Sequence, residues 1–298
     1  MKTNSGWREF AITKVIQVAG VSAIGIVLLI FFFLMREGLP ALREVSMLTL
    51  FSTRWYPTEG LFGIMPLITG SLIVTLGAAM VAVPFGLGTA IFIAEISPRW
   101  MREMLKPLVE LLGGLPSVML GFLGILIFAP YVRILFALPT GLSAMTGSLL
   151  LGAIAIPTVV SVAEDALDSV PRAYREGAWA LGATQWQTIW RVTLPAARSG
   201  VLTAVMLGIG RAIGETMTVM MVTGNAPIMA TYMAALISPV RTMTATIAAE
   251  MGEVATGSTH YHVLFFIGIV LFFVSLVVNI TASAIIFRQR KRSERILS

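Results

Sequence analysis

Cysteine is absent, histidine occurs twice, and only 12% of the 298 residues are charged. The first absence excludes a disulfide scaffold and a thiol-ligated metal site, and it leaves the redox compartment open. The scarcity of charge excludes an ordinary water-soluble domain, in which about a quarter of residues are charged. None of the four lysines follows a glycine, so there is no Walker A loop. Gly208-Ile-Gly210-Arg-Ala-Ile-Gly214 has the wrong spacing for a dinucleotide fingerprint and lies inside an apolar run. Its Gly210 and Gly214 read instead as a small-residue pair for close helix packing. His260 and His262 sit beside a membrane boundary, where they read as interfacial residues rather than metal ligands. No Ser/His/Asp or Cys/His set can be assembled within the apolar runs, so no enzyme, bound cofactor or metal is expected.

What is present is hydrophobic surface. Apolar residues make up 57% of the chain and the mean hydropathy is +0.88. A soluble fold of this size has no interior large enough to hide that surface, so the solvent is lipid. The net charge of +6 does not form a nucleic-acid face, because the basic residues lie at the ends of apolar runs. Nucleic acid is therefore not an expected partner.

A bilayer needs about 20 apolar residues per helix. Six runs qualify, near 13–35, 68–95, 108–130, 141–163, 197–223 and 262–287. The first is too long for a signal-peptide core, and Arg36 and Glu37 follow it directly, so it reads as a retained anchor. With the N-terminus placed in the cytoplasm, fifteen Lys and Arg residues lie inside and five outside (Arg36, Arg43, Arg54, Arg133 and Arg241). That asymmetry predicts both termini cytoplasmic. Of the external segments, 36–67 carries Trp55, Tyr56, Pro57 and Gly60 and suits an interfacial hairpin or short helix. Within 224–261, Met229–Ile237 suits a re-entrant or interfacial helix.

The fourth and fifth spans are joined by a loop over 164–196. Pro171 is placed to open a helix, Gly182 to end it, and a second short helix is expected to stop at Leu194-Pro195. Trp179, Trp186, Ile189 and Trp190 give the loop apolar content. On these residues alone it is either a knob that docks into a groove of another protein or a plain interfacial loop.

Glu176-Gly177-Ala178, then Gly182, then Leu194-Pro195 resemble the EAA signature of membrane subunits of ABC importers, with Gly177 where the signature usually has Ala. The resemblance implies that the loop couples to a separate ATPase dimer, which uses ATP and Mg, and so accounts for the missing Walker A loop. Pro57-Thr-Glu59-Gly60-Leu-Phe-Gly63-Ile-Met-Pro66, Leu111-Leu-Gly113-Gly114-Leu-Pro116-Ser117 and Gly210-Arg211-Ala-Ile-Gly214-Glu215-Thr216-Met217 extend it, over nearly the whole chain, to the C-type permeases (PstC) of phosphate-specific importers. What this implies is a type I (MetI-like) permease fold in a bacterial inner membrane. It also implies a heterodimer with an A-type paralogue, a phosphate-binding protein outside, and inorganic phosphate as cargo.

Arg211 lies within the fifth span, where an unpaired Arg costs about 2.5 kcal/mol or more. In an unbroken helix Glu215 and Thr218 share its face. Either Arg211 lines a translocation path and attracts an oxyanion, with Glu215 holding it, or the two form a structural ion pair. The resemblance favours the path. Ser71, Thr75, Ser117, Thr158, Ser161, Thr223, Asn225 and Asn279 are lesser candidates, since hydroxyls and amides in spans often bond neighbouring backbone. The expectation is an all-α membrane protein of six spans forming one permease domain over 1–298, with core spans about 68–287, an anchor at 13–35 and a coupling loop at 164–196. The rival readings are an importer of sulfate or molybdate, or an ion-gradient transporter without an ATPase.

Overall fold

The computed structural model describes residues 5–229 and 234–297. Among them, six helices are long and apolar enough to cross a membrane: Glu9–Glu44, Met65–Ile96, Ser117–Leu135, Ala144–Asp168, Gln185–Gly214 and Thr259–Thr281. Each expected span finds one of these, but the third and fifth differ from expectation in a way that matters below.

Helix α1 (Ser5–Gly38) stands apart over most of its length, and side chains 9–30 are all exposed. Only its last turns pack, with Phe31 against Phe272 at 5.0 Å and Phe33 edge-on to Phe265 at 5.5 Å between ring centroids. Two single turns follow, and then a small antiparallel hairpin of β1 (Trp55–Tyr56) and β2 (Leu61–Phe62), turned through Gly60 at φ 72°. This matches the expected interfacial hairpin. Trp55 is buried with Leu50, Ile64, Leu264 and Ile267, which seals that end of the bundle.

Helix α2 (Met65–Ile91) continues through a π turn, Phe92–Ile96. It packs along α6 (Ala144–Asp168), the most deeply buried span. The two backbones approach so closely that a Cβ on Gly77 would strike Ser148 and one on Gly152 would strike Val81. Small residues permit this, and van der Waals packing then replaces the hydrophobic drive that lipid removes.

Between them lies α3 (Arg99–Gly113), then α4 (Ser117–Leu123), a π turn at Gly124–Phe128 and α5 (Ala129–Leu135). The expectation of one helix over 108–130 is corrected. The chain breaks at Gly114–Pro116, because Pro116 has no N–H and holds the preceding residue out of the helical region. Helix α3 runs along the half of α6 nearer the loop. Its Arg102 and Lys106 meet Glu164, whose side chain is 2% exposed, and its Gly113 lies against Pro157. Its other face, with Trp100, Met104, Leu108 and Leu111, is exposed and apolar.

After the short helices α7 (Arg172–Ala180) and α8 (Gln185–Thr188), a π turn at Ile189–Thr193 leads directly into α9 (Leu194–Gly214). Leu194-Pro195 is thus no stop. The wider π turn just before Pro195 accommodates its ring and its missing N–H, and the helix runs on. The fifth span ends at Gly214 rather than 223 and restarts as α10 (Met217–Val222). Residues 230–233 of the expected Met229–Ile237 helix lie outside the described residues, and Ala234–Ile237 is a single turn. The buried segment that folds back into the bundle is instead the start of α11 (Met243–Glu250). The last span belongs to α12 (Thr259–Leu297).

Candidate functional site

Two sites emerge, one in the loop and one in the middle of the bundle. In the loop, Pro171 precedes α7 as expected, and Gly182 ends it. Gly182 takes φ +82°, and Ala183 N–H bonds to Ala178 O at 3.0 Å while Gly182 N–H bonds to Trp179 O at 2.9 Å. This is a Schellman cap, which suits a residue without a Cβ. Helix α8 then begins with a capping box between Thr184 and Gln187. The turn thereby sets two short helices at a fixed angle.

Glu176, Gly177 and Gly182 are exposed and Ala178 is half-buried, so the EAA-like residues face outward together. Leu194 and Pro195 lie apart from them, in the first turn of α9. A Cβ on Gly177 would meet nothing within 4 Å, so Gly in place of Ala is not demanded by packing. Trp179, Trp186 and Trp190 are each about half exposed and Leu181 is 90% exposed. Ile189 is not part of this surface; it is 1% exposed and belongs to the interior. A cleft of about 510 Å³ lies beside the loop, lined by Glu95, Arg102, Asp168, Arg172, Glu176 and Trp179 among others.

The second site lies where two helices are broken at one level. The gap between α3 and α4 at Gly114–Pro116 faces the gap between α9 and α10 at Glu215–Thr216. Thr218 Oγ1 donates to Ser117 O at 2.9 Å, joining the start of α10 to the start of α4. Arg211 Nη1 donates to Thr158 Oγ1 at 2.9 Å, and Nη2 to Gly113 O at 3.1 Å. Thr158 lies near the middle of α6, so Arg211 sits deep in the bundle as the sequence implied. A guanidinium has five donors, and these bonds use two of them.

The expectation that Arg211, Glu215 and Thr218 share one helical face is corrected. Glu215 has φ −70° and ψ 130°, so the helix has already ended. Its Oε1 accepts from the backbone N–H of Thr216 and of Thr218, each at 3.2 Å. A carboxylate there satisfies N–H groups that begin α10 and have no partner within the helix. Glu215 therefore caps the break, while Arg211 gives two of its donors to Thr158 and Gly113 rather than to Glu215. Thr218 is fully buried and ties α10 to α4.

Of the residues that hold these sites, sequence reasoning missed Thr244 and the Glu95–Arg175 pair, while Ser71 and Thr158 were among its lesser candidates. Thr244 Oγ1 donates to Glu215 O at 3.1 Å, and Ser71 Oγ accepts from Met243 N–H at 2.9 Å, so α11 braces the break in the fifth span. Of the lesser candidates, Thr223 bonds its own helix at Val219 O and is fully buried. Glu95 and Arg175 form a part-buried ion pair under the loop, at the wall of the cleft. Glu95 offered one signal, an acid at the end of an otherwise apolar run.

Residues 82–293 match the family described as binding-protein-dependent transport system inner membrane component. The chain is 39% identical over 226 residues to the probable ABC transporter permease protein YqgH of Bacillus subtilis (strain 168), covering 75% of this chain and 72% of that one. It is 33% identical over 305 aligned residues to the phosphate transport system permease protein PstC of Mesorhizobium japonicum, covering 94% and 92%. A bacterial alginate ABC transporter, solved with an alginate pentasaccharide-bound periplasmic protein, superposes with a TM-score of 0.62 at 16% identity, over 93% of this chain and 95% of that one. The inward-facing MetNI methionine ABC transporter gives 0.61 at 17%, over 79% and 99%. At such identities the structures speak for the fold alone, and that fold is the MetI-like permease of type I importers.

Proposed function

Since this chain belongs to the family of binding-protein-dependent transport system inner membrane components, we propose that it carries inorganic phosphate inward as the C-type permease of an ABC importer. It is a multi-pass membrane protein and a transport subunit rather than an enzyme, and it works with an ATPase and a substrate-binding protein. The observation that carries the substrate is the likeness to PstC over 94% of the chain.

In this reading the chain is a single permease domain with both termini in the cytoplasm, in keeping with the Lys and Arg asymmetry. An A-type paralogue covers the exposed apolar face of α3 and α4 and supplies the other half of the path. Arg211 and Glu215 line that path at the paired breaks, whereas Thr218, expected beside them, is fully buried and ties α10 to α4 behind the path. Irregular backbone at membrane depth is tolerated where it borders protein or a water-filled cavity, and discontinuous helices are a recurrent way to build a transport site. The guanidinium offers charge and a planar fork to an oxyanion. Glu215 keeps the break open by capping α10.

Glu176, Gly177, Ala178 and Gly182, together with the exposed Trp side chains, dock on the ATPase, and Leu194-Pro195 carries the motion into α9. ATP and Mg act in the ATPase dimer, not in this chain. Closure of that dimer pulls on Glu176 to Pro195, and the bundle then opens outward to receive phosphate from the binding protein.

The test is uptake of radiolabelled phosphate at low micromolar concentration, in cells lacking this chain and in the same cells with it restored, with sulfate and molybdate as competitors. Restored uptake that ignores both competitors is expected. Uptake independent of the chain, or competed by sulfate, would require another cargo.

A further inference from the structure

Helix α7 has no fully buried residue, so apolar packing does little to hold it to the bundle. One side chain does this instead. Arg175 is 13% exposed and faces Glu95, which is 7% exposed, at the far end of α2. Arg175 Nη2 lies 2.6 Å from Glu95 Oε1, and Nε reaches both carboxylate oxygens at 3.2 and 3.3 Å. The remaining contacts go to the end of α6, with Nη1 on Val170 O at 2.7 Å and Nη2 on Leu167 O at 2.9 Å. From the other side, Gln185 Nε2 of α8 donates to Glu95 O at 2.7 Å. Glu95 thus receives α7 through its carboxylate and α8 through its backbone.

We propose that the Arg175–Glu95 pair is the joint through which displacement of the α7–α8 loop moves the second span. Arg175 and Glu95 are positioning residues for transport, beyond the EAA-like surface itself. The inference rests on the importer reading above. Its physical ground is directional. A planar fork on a carboxylate resists both sliding and rotation, unlike a point charge. Both side chains are largely covered although they line the cleft beside the loop, so the pair is held more firmly than a fully exposed one. The bonds to Leu167 and Val170 couple the same guanidinium to the fourth span, so α2 and α6 receive the motion together.

The experiment uses the whole complex of both permeases, the ATPase and the binding protein in proteoliposomes. Arg175→Ala and Glu95→Gln are expected to raise the ATP hydrolysed per phosphate imported by about tenfold, with the ATPase still co-purifying. Because the chain has no cysteine, spin labels at Met80→Cys on α2 and Phe273→Cys on α12 report the separation of α2 from α12. A non-hydrolysed ATP analogue should shift that distance in the wild-type background and leave it unchanged with Arg175→Ala. If Arg175→Ala does not assemble, Arg175→Lys, which keeps the charge without the fork, carries the same test. A normal ATP-to-phosphate ratio, or an unaltered α2 shift in Arg175→Ala, overturns the proposal. The distance is read without cargo, whereas wild-type uptake tests the phosphate assignment, so the two readings fail separately.

Discussion

Arg211 Nη2 reaches the carbonyl of Gly113 at 3.1 Å, which binds the charged turn of α9 to the last residue of α3. The bond crosses from one broken helix to another, and it makes Arg211 a strut between them, beside its proposed role in the path. Arg211→Gln should cut phosphate uptake by about tenfold or more at matched membrane expression, since a bond to a charged group contributes about 1.5–3 kcal/mol. Arg211→Lys should fare little better, because an ammonium cannot reproduce the two diverging bonds to Thr158 and Gly113. Uptake near wild type from Arg211→Lys would leave charge as the sole requirement.

Glu215 separates capping from charge. Glu215→Gln keeps an oxygen for the N–H groups of Thr216 and Thr218, whereas Glu215→Ala removes it. Loss of such a cap costs about 1 kcal/mol. The Ala variant should therefore melt earlier in detergent and transport less than the Gln variant. Equal melting points would show that the cap contributes nothing to the break.

Gly182 and Gly177 make a paired test in the loop. At φ +82° a side chain on Gly182 costs about 1–2 kcal/mol. Gly182→Val should therefore unseat the α7–α8 turn and weaken recovery of the ATPase subunit. Gly177→Ala enters open space and restores the usual EAA residue. It should leave both recovery and uptake unchanged. Pull-down of the ATPase with each variant decides this.

Glu164 sits between Arg102 and Lys106, at 2.6 Å from each, with its own side chain almost fully covered. Glu164→Ala leaves Arg102 its pair with Asp168 and Lys106 its pair with Asp165, and both cations are about a third exposed and can turn to water. The expected cost is therefore about 1–3 kcal/mol, below that of a fully buried pair. Thermal unfolding of the purified chain should show a lower midpoint, and α3 should become more accessible to protease.

The six spans and the loop helices were legible in the sequence because hydrophobic runs, Pro171 and Gly182 act locally. The EAA-like residues were legible for the same reason, as a spacing within one short segment. Arg211 announced itself because a charge in a span has few tolerable places. What the sequence did not disclose is where its partners stand. Gly113 and Thr158 are remote in sequence from Arg211, and Glu215 four residues on looked like its mate only on an unbroken helix. Whether α9 continues past Gly214 depends on Thr244 and Thr218, which brace the break from α11 and toward α4. The Arg175–Glu95 pair is likewise separated by 80 residues. Local propensity fixed the elements. The hydrogen bonds that satisfy broken backbone in a lipid solvent come from distant segments, so only the tertiary structure decided the breaks and the joint.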